Sequence, residues 1–442
     1  MKETTRTIQE WVQIIEDELL AGNTAKALEI QSQLNKTKNI NSFCQPVYSK
    51  GWQAFNDGNL LVAKSLFSWL EKIDPENWSV QLANATIREK LNGKHIASEK
   101  FKGFVKLNPA FHYQHSNSQN PIKTATLLTI GRGDTSFTNG GFRLPYGLTE
   151  AQHLTQHPEY TASMLFSEGL SLRQINQFDV LLNAISDADI YPDLLKEIII
   201  LIADNKVPVI NQPQHILNNT RDNIVRNIPT NAEQIIPKTV RANLIEEQAD
   251  SLVTQVKNNK LNYPILIRPV GSQTGQGLFR LNSEEKAKEY QHKTGEFYIT
   301  EFYDFKSTDG YYRKYRLWNI GGTIIPNHLF ISEKWNVHAG CRLETMIKNQ
   351  WMLDEEKSFV LGCSKIDNDR ISQLMTTLQH ETHLDYFGVD LAFTPKGIPI
   401  FFEANPTMRS HHPEWWVQFP YIKDVDHKHR KAFQNLIEVK KG

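Results

Sequence analysis

The chain is poor in the features that mark whole classes of protein. Its 442 residues hold only three cysteines, Cys44, Cys341 and Cys363, an odd number set far apart. That excludes a disulfide framework and a cysteine-based metal spacing, and points to a reducing, cytoplasmic compartment. Long apolar runs are missing too. "IIILIA" at 198–203 is the longest, far below the ~20 residues of a membrane-spanning helix. The start, "MKETTRTIQEWVQIIEDELL", is acidic and amphipathic, without the basic head and apolar centre of a signal peptide, so none is expected. Net charge is absent: Lys+Arg and Asp+Glu both total 49. No global field recruits nucleic acid or a membrane surface, and neither is an expected partner. No Ser-His-Asp or Cys-His constellation stands out. The remainder, 40% apolar and 22% charged, is ordinary for a globular chain, and the length calls for roughly two to four domains.

What is present begins with a repeat. "GWQAFNDGNLLVAKSLFSWLEKIDP" carries Gly51, Gly58, Ala63, Phe67 and Pro75, and a shift of 34 residues finds Ala97, Phe101 and Pro109. Gly93 falls one place off the shifted Gly58, and "AGNTAKALEIQSQL" repeats the start of the pattern upstream. Small residues let paired helices approach closely, and a closing Pro ends the second helix. The period predicts tetratricopeptide-like helical hairpins over 1–112. "FHYQHSNSQNPIK" (111–123) reads as a linker. Beyond it, "TATLLTIG", "FDVLLNAI" and "VPVINQP" read as strands around the helical "YPDLLKEIIILIADNK", a parallel α/β domain over 122–235. Gly131 and Gly133 mark a loop whose "RGD" (132–134) is a chance tripeptide. The rest is strand-rich with occasional helices, an α+β arrangement.

Two stretches carry chemistry. "ILIRPVGSQTGQGLFRL" is a strand, a loop with Gly271, Ser272, Gln273, Thr274, Gly275 and Gly277, and a second strand. A helix directly after the glycines would make a dinucleotide fingerprint, and a Gly-Lys-Ser/Thr would make a Walker A loop; neither follows. A strand–loop–strand flap presenting backbone N–H groups to phosphate remains, against a plain hairpin loop. Arg268, at the end of the first strand, is a cation suited to phosphates. The other stretch is "GVDLAFTPKGIPIFFEANP". Glu403 and Asn405 are two apart in a strand and so share a side. The "TPKG" turn brings Asp390 near them. Three oxygen ligands without His or Cys suit Mg²⁺ or Mn²⁺ rather than zinc.

These pieces resemble the ATP-grasp ligases, in the branch of glutathione synthetase and the ribosomal-protein glutamate ligase, over about 205–407. The resemblance implies a pre-ATP-grasp domain at 122–235, a central subdomain with the glycine flap at 236–300, and a C-terminal subdomain with the metal site at 301–442. It implies that Asp390, Glu403 and Asn405 bind two Mg²⁺. "SEKWNVHAG" resembles the family's Asn-x-His-x-Gly stretch and implies that Asn336 lies near the terminal phosphate. "RKYRLWNIGG" implies that Arg316 touches the acyl phosphate or the substrate carboxylate. "YITEFYDF" resembles the hinge strand, where Glu301 and the backbone of Phe302 and Tyr303 would read adenine. In "TRDNIVRNIPTNAEQIIPKT", Arg226 is a phosphate candidate. This chain departs from the pattern in two places. Arg268 stands where the family usually has a Lys, and Lys314 where it has an acid for the ribose, leaving Asp309 or Asp304 as substitutes.

The implied activity is ATP-dependent ligation of a carboxylate to an amine through an acyl phosphate. Positioning and electrostatics would do most of the work. The substrate would be an amino acid, peptide or protein, with a peptide docked on the helical repeats; alternatively the repeats form a homodimer contact. A kinase on the same nucleotide fold, or a repeat adaptor with an inactive ATP-grasp domain, are the competing expectations. His411 and His412 read as part of a surface loop packing Trp415 and Trp416. "KDVDHKHRKAF" reads as a solvated helix face.

Overall fold

The computed structural model describes all residues except 1–6, 35–40, 115, 131–135, 139–140, 144–158, 246–250, 273–274, 291–293, 363–367, 407–410 and 412–413. The "RGD" tripeptide, Gly131, Gly133, Gln273, Thr274, Cys363 and His412 therefore lie outside the described residues. The chain divides into two compact units. One is Met1–Tyr113 with Leu128–Gly147 and Met164–Leu170; the other is Gln114–Leu127 with Leu148–Ser163 and Ser171–Gly442. Among the described residues, no helix is long and apolar enough to cross a membrane.

The first unit is built on six helices: α1 (Ile8–Leu20), α2 (Thr24–Leu34), α3 (Asn41–Asn56), α4 (Leu60–Ile73), α5 (Trp78–Asn92) and α6 (Lys94–Leu107). α6 repeats α4 at a 34-residue interval at both ends. Ala63 and Ala97 are buried at equivalent positions, as are Phe67 and Phe101. The reason for Gly51 is steric. A Cβ there would lie 2.6 and 2.8 Å from Phe67 ring carbons. Phe67 is fully buried and cannot yield. Gly51→Ala should therefore destabilise this unit by about 1–3 kcal/mol through overpacking. Urea unfolding of the full chain measures it; an unchanged midpoint would deny the close α3–α4 approach.

In the second unit, β2 (Ile122–Leu128) pairs in parallel with β4 (Val180–Asn183), and β4 with β5 (Val209–Ile210). Strand β3 (Tyr160–Phe166) lies on the other side of β2. The expected linker is partly a strand, β1 (Ala110–Gln114), whose residues up to Tyr113 belong to the first unit. A helix, α7 (Pro192–Leu201), connects β4 to β5. Asn211 directly follows β5 at φ 58°, a conformation that Asn tolerates better than most residues. Its buried side chain donates to Tyr386 O (2.6 Å) and Pro406 O (2.9 Å) and accepts from the Asp385 and Tyr386 amides. One residue thus fastens this sheet to both ends of the hairpin that bears the candidate site.

Two antiparallel sheets follow. The first has the order β8 (Phe279–Leu281), β7 (Ile265–Pro269), β9 (Gly295–Glu301), β6 (Thr239–Leu244). The second has the order β11 (Thr323–Ser332), β10 (Tyr312–Ile320), β12 (Tyr386–Phe393), β13 (Pro399–Asn405). All of β12 except Phe393 is buried, as its apolar run requires. The "TPKG" turn closes with Gly397 N–H on Thr394 O (2.9 Å), and Gly397 sits at φ 75°, where glycine carries no Cβ penalty.

Candidate functional site

The register of the second sheet places four polar side chains in one lateral row. His328 of β11 is opposite Arg316 of β10, Arg316 is opposite Asp390 of β12, and Asp390 is opposite Glu403 of β13. Register shifts flank the row on both sides, leaving Asn327 and Phe402 as extra residues. Such bulges re-aim neighbouring side chains. Asn405, two residues on, points the same way as Glu403, and its Nδ2 donates to Glu403 Oε1 at 3.0 Å.

Cations close around the two carboxylates. Arg316 grips Asp390 with Nε and with Nη2 (2.9 Å), and Lys314 Nζ adds a contact at 3.1 Å. Glu403 pairs with Arg221. That arginine opens a short helix, α8 (Arg221–Arg226), whose start is tied to β13 because Asn219 Nδ2 donates to Ala404 O (3.1 Å). Burial pushes the Asp390 carboxyl up, but Arg316 and then Lys314 outweigh it and hold it well below the usual range. Glu403 is also lowered, Arg221 overcoming the burial. His328 is driven well below its ordinary value by burial and then by Arg316, so it is neutral at neutral pH.

The glycine loop sits at the end of β7, which forms an antiparallel hairpin with β8. Gly271, Gly275 and Gly277 all have positive φ. A Cβ on Gly277 would meet Pro269 at 2.9 Å, and one on Gly275 would lie 3.6 Å from Asn336 Oδ1, so Asn336 faces the loop. Arg268 anchors the loop base through Ser272 Oγ (3.1 Å) and Ser272 O. It makes no ion pair among the described residues. Burial, and then the neighbouring Arg221, pull its pKa down to about 10, which still leaves it charged at neutral pH. A cation held next to another cation without a carboxylate of its own is suited to an anionic ligand.

Other sequence candidates are placed differently. Arg226, at the far end of α8, is exposed and pairs weakly with Asp222 (3.7 Å); Arg221 at the helix start is the residue that reaches Glu403. Asp309 is engaged by both terminal nitrogens of Arg313 (2.9 and 2.7 Å). Glu301 is buried and accepts from the Asn262 amide and Nδ2, both at 2.8 Å. The Phe302 amide donates to Pro264 O (2.8 Å), while Arg280 stacks 4.0 Å above the Phe302 ring. Tyr303 OH lies 3.5 Å from Glu301. In the Asn-x-His stretch, His338 Nδ1 accepts from the Gly340 amide (3.1 Å).

The C-terminal helix corrects two expectations. α11 (Tyr421–Lys441) exposes Lys423, Asp424, His427, Lys428 and Lys431 but buries Asp426 and His429 completely, so "KDVDHKHRKAF" is solvated along one side only. (Among the helices before it are α9, Gln350–Val360, and α10, Asn368–Thr382.) Asp426 accepts from His411 Nδ1 (3.0 Å) and Trp416 Nε1 (2.7 Å). His411 is thus held against the helix rather than in a surface loop, beside Trp318, with ring centroids 6.3 Å apart. Asp426→Ala strands two donors in a closed site and should cost about 2–4 kcal/mol. Chemical denaturation checks this, with Asp426→Asn expected to lose less; equal stability of Ala and wild type would deny the bonds.

A cleft opens beside this row, lined among others by Asp187, Asp189, Thr220, Arg221, Glu403 and Asn405. Asp189 is fixed by Arg241 and by Tyr298 OH (2.8 Å).

No family model and no curated protein sequence matches this chain. Similar solved structures include an ATP-grasp RimK domain protein from Sphaerobacter thermophilus, 12% identical, covering 71% of this chain and 99% of that one at a TM-score of 0.42. The VanG D-Ala:D-Ser ligase from Enterococcus faecalis is 14% identical over 73% and 100%, at 0.43. An N5-carboxyaminoimidazole synthetase from Staphylococcus aureus, complexed with ADP, is 13% identical over 69% and 75%, at 0.41.

Proposed function

We propose that the second unit is an ATP-grasp catalytic core that activates a carboxylate with ATP and joins it to an amine. The observation that carries this reading is how the cations are placed. Arg221, Lys314 and Arg316 pair with Glu403 and Asp390, while Arg268, next to them at the glycine loop, has no ion pair among the described residues. Such a cation beside backbone N–H groups at positive-φ glycines suits a polyphosphate.

The roles follow from position. Arg268 and the backbone at Gly271, Ser272, Gly275 and Gly277 hold the phosphate chain. Asn336, facing Gly275, reaches the terminal phosphate. Arg316 orients the carboxylate that attacks and steadies the acyl phosphate. The Phe302–Tyr303 backbone receives the purine, with the Phe302 carbonyl as acceptor because its amide is already bonded. The loop excludes water from an intermediate that hydrolyses readily.

For a divalent cation the fit is partial. Glu403 and Asn405 line the cleft, and Asn405 Oδ1 makes no hydrogen bond among the described residues. This pair suits a hard cation arriving on phosphate oxygens. Among the described residues no group of three or more His, Cys, Asp or Glu is placed to hold a metal by itself. When bound, Mg²⁺ would offset charge on the transferring phosphoryl group.

The helical hairpins of the first unit fit a tetratricopeptide arrangement. Repeats of that kind form peptide-binding surfaces, which favours a peptide or protein substrate. The test is Mg-ATP turnover against pooled amino acids and peptides, followed by mass spectrometry. ADP, phosphate and a product weighing its two reactants less one water support the ligase. A phosphorylated product without condensation indicates a kinase, and absence of nucleotide binding indicates an adaptor.

A further inference from the structure

We propose that the Lys314 ammonium stands in for one of two divalent cations, so that ATP is held here with a single divalent cation at Glu403 and Asn405. The inference rests on the ATP-binding reading above and concerns how this chain departs from the two-cation arrangement its sequence first suggests.

Asp390 is spent on protein cations. It is 1% exposed, and its Oδ1 accepts from Arg316 Nε. Its Oδ2 takes both Arg316 Nη2 at 2.9 Å and Lys314 Nζ at 3.1 Å. A small divalent ion demands short contacts and near-octahedral geometry, so it would have to expel one of these donors from a closed position. Neither donor is on a wandering loop. Lys314 and Arg316 are alternate residues of β10, on the face that the register sets against Asp390. Breaking a buried pair on one side leaves an uncompensated charge, which opposes the exchange. Glu403 is paired too, with Arg221 and with Asn405 Nδ2, but it is 20% exposed and lines the cleft with Asn405, whereas Asp390 is not among the described residues that do.

The position where an acid was expected therefore has a use as a lysine: a fixed monovalent cation that needs no metal.

Mn²⁺ is the probe, titrated into the full-length chain with a non-hydrolysable imido analogue of ATP and followed by electron paramagnetic resonance. The expected result is one Mn²⁺ per bound nucleotide in the wild type, with no Mn–Mn dipolar broadening. Lys314→Asp should bind two, with broadening, and Lys314→Met should show a second, weaker Mn²⁺. Two coupled Mn²⁺ in the wild type would overturn the inference, and this outcome does not depend on any variant folding. One Mn²⁺ in the wild type and in both variants, with nucleotide bound, would overturn the role given to Lys314. Failure to bind the analogue at any Mn²⁺ concentration overturns the ATP-binding reading itself and takes the inference with it.

Discussion

Glu403→Gln is expected to lower Mg-ATP turnover by about 10²–10³-fold or more, with the fold retained. Gln keeps the shape and one acceptor oxygen for Arg221, and Asn405 can turn its amide so that Oδ1 accepts from the Gln NH2. What it loses is the negative charge that lines the cleft beside Asn405. The charge also pairs with Arg221, so some stability is lost, but the larger loss is expected in turnover, where phosphate and its divalent cation arrive. Steady-state ADP release, measured beside a thermal melt, separates the two. Wild-type turnover in a folded Glu403→Gln protein would remove Glu403 from the site. Glu403→Ala should be at least as inactive, and less stable, because Arg221 is then left half-buried without its carboxylate.

Arg316→Ala should be the most destabilising change at the site, by about 3–5 kcal/mol, the range for removing one partner of a buried pair. Lys314 stays on Asp390 and keeps the loss toward the lower end. Such a loss is a large share of the ~5–15 kcal/mol that stabilises an ordinary domain. The pH dependence distinguishes charge from packing. The folded-state values of Asp390 and Glu403 are both lowered, so their contribution is complete above the unfolded carboxylate range near pH 4 and disappears as pH falls further. The stability gap between wild type and Arg316→Ala should therefore hold from pH 7 to about 4 and narrow below that. A gap constant down to pH 3 would mean that the arginine contributes by packing alone.

The parts of this site that lie within one local stretch were legible. An apolar run with a "TPKG" turn specifies a hairpin, and the i, i+2 spacing puts Glu403 and Asn405 on one side. A run of glycines after Arg268 specifies a loop at positive φ. Contacts between distant stretches were not legible. Arg221 was passed over for Arg226 because nothing local reveals that Asn219 pins the helix start to Ala404, which turns the first arginine of "RDNIVR" toward Glu403. Lys314 departs from the expected acid, and only the pairing of β10 with β12, which sets Arg316 opposite Asp390, brings the lysine two residues away to the same carboxylate. Pro326 and Asn327 mask β11 as a continuous strand; their interruption coincides with a register shift in an edge strand, where such residues are tolerated. Asp426 and His429 read as solvated because charge in a helix usually faces water. Here Asp426 is buried by partners, His411 and Trp416, that lie before the helix begins.

The central claim is that a substrate carboxylate attacks the terminal phosphate of ATP before an amine replaces the phosphate. Oxygen-18 in the carboxylate of the reactive pool member tests it directly. The account predicts one labelled oxygen in the phosphate released with each amide formed, and none from the Glu403→Gln protein. Unlabelled phosphate accompanying amide formation, or a phosphoryl group recovered on a substrate hydroxyl, would contradict it.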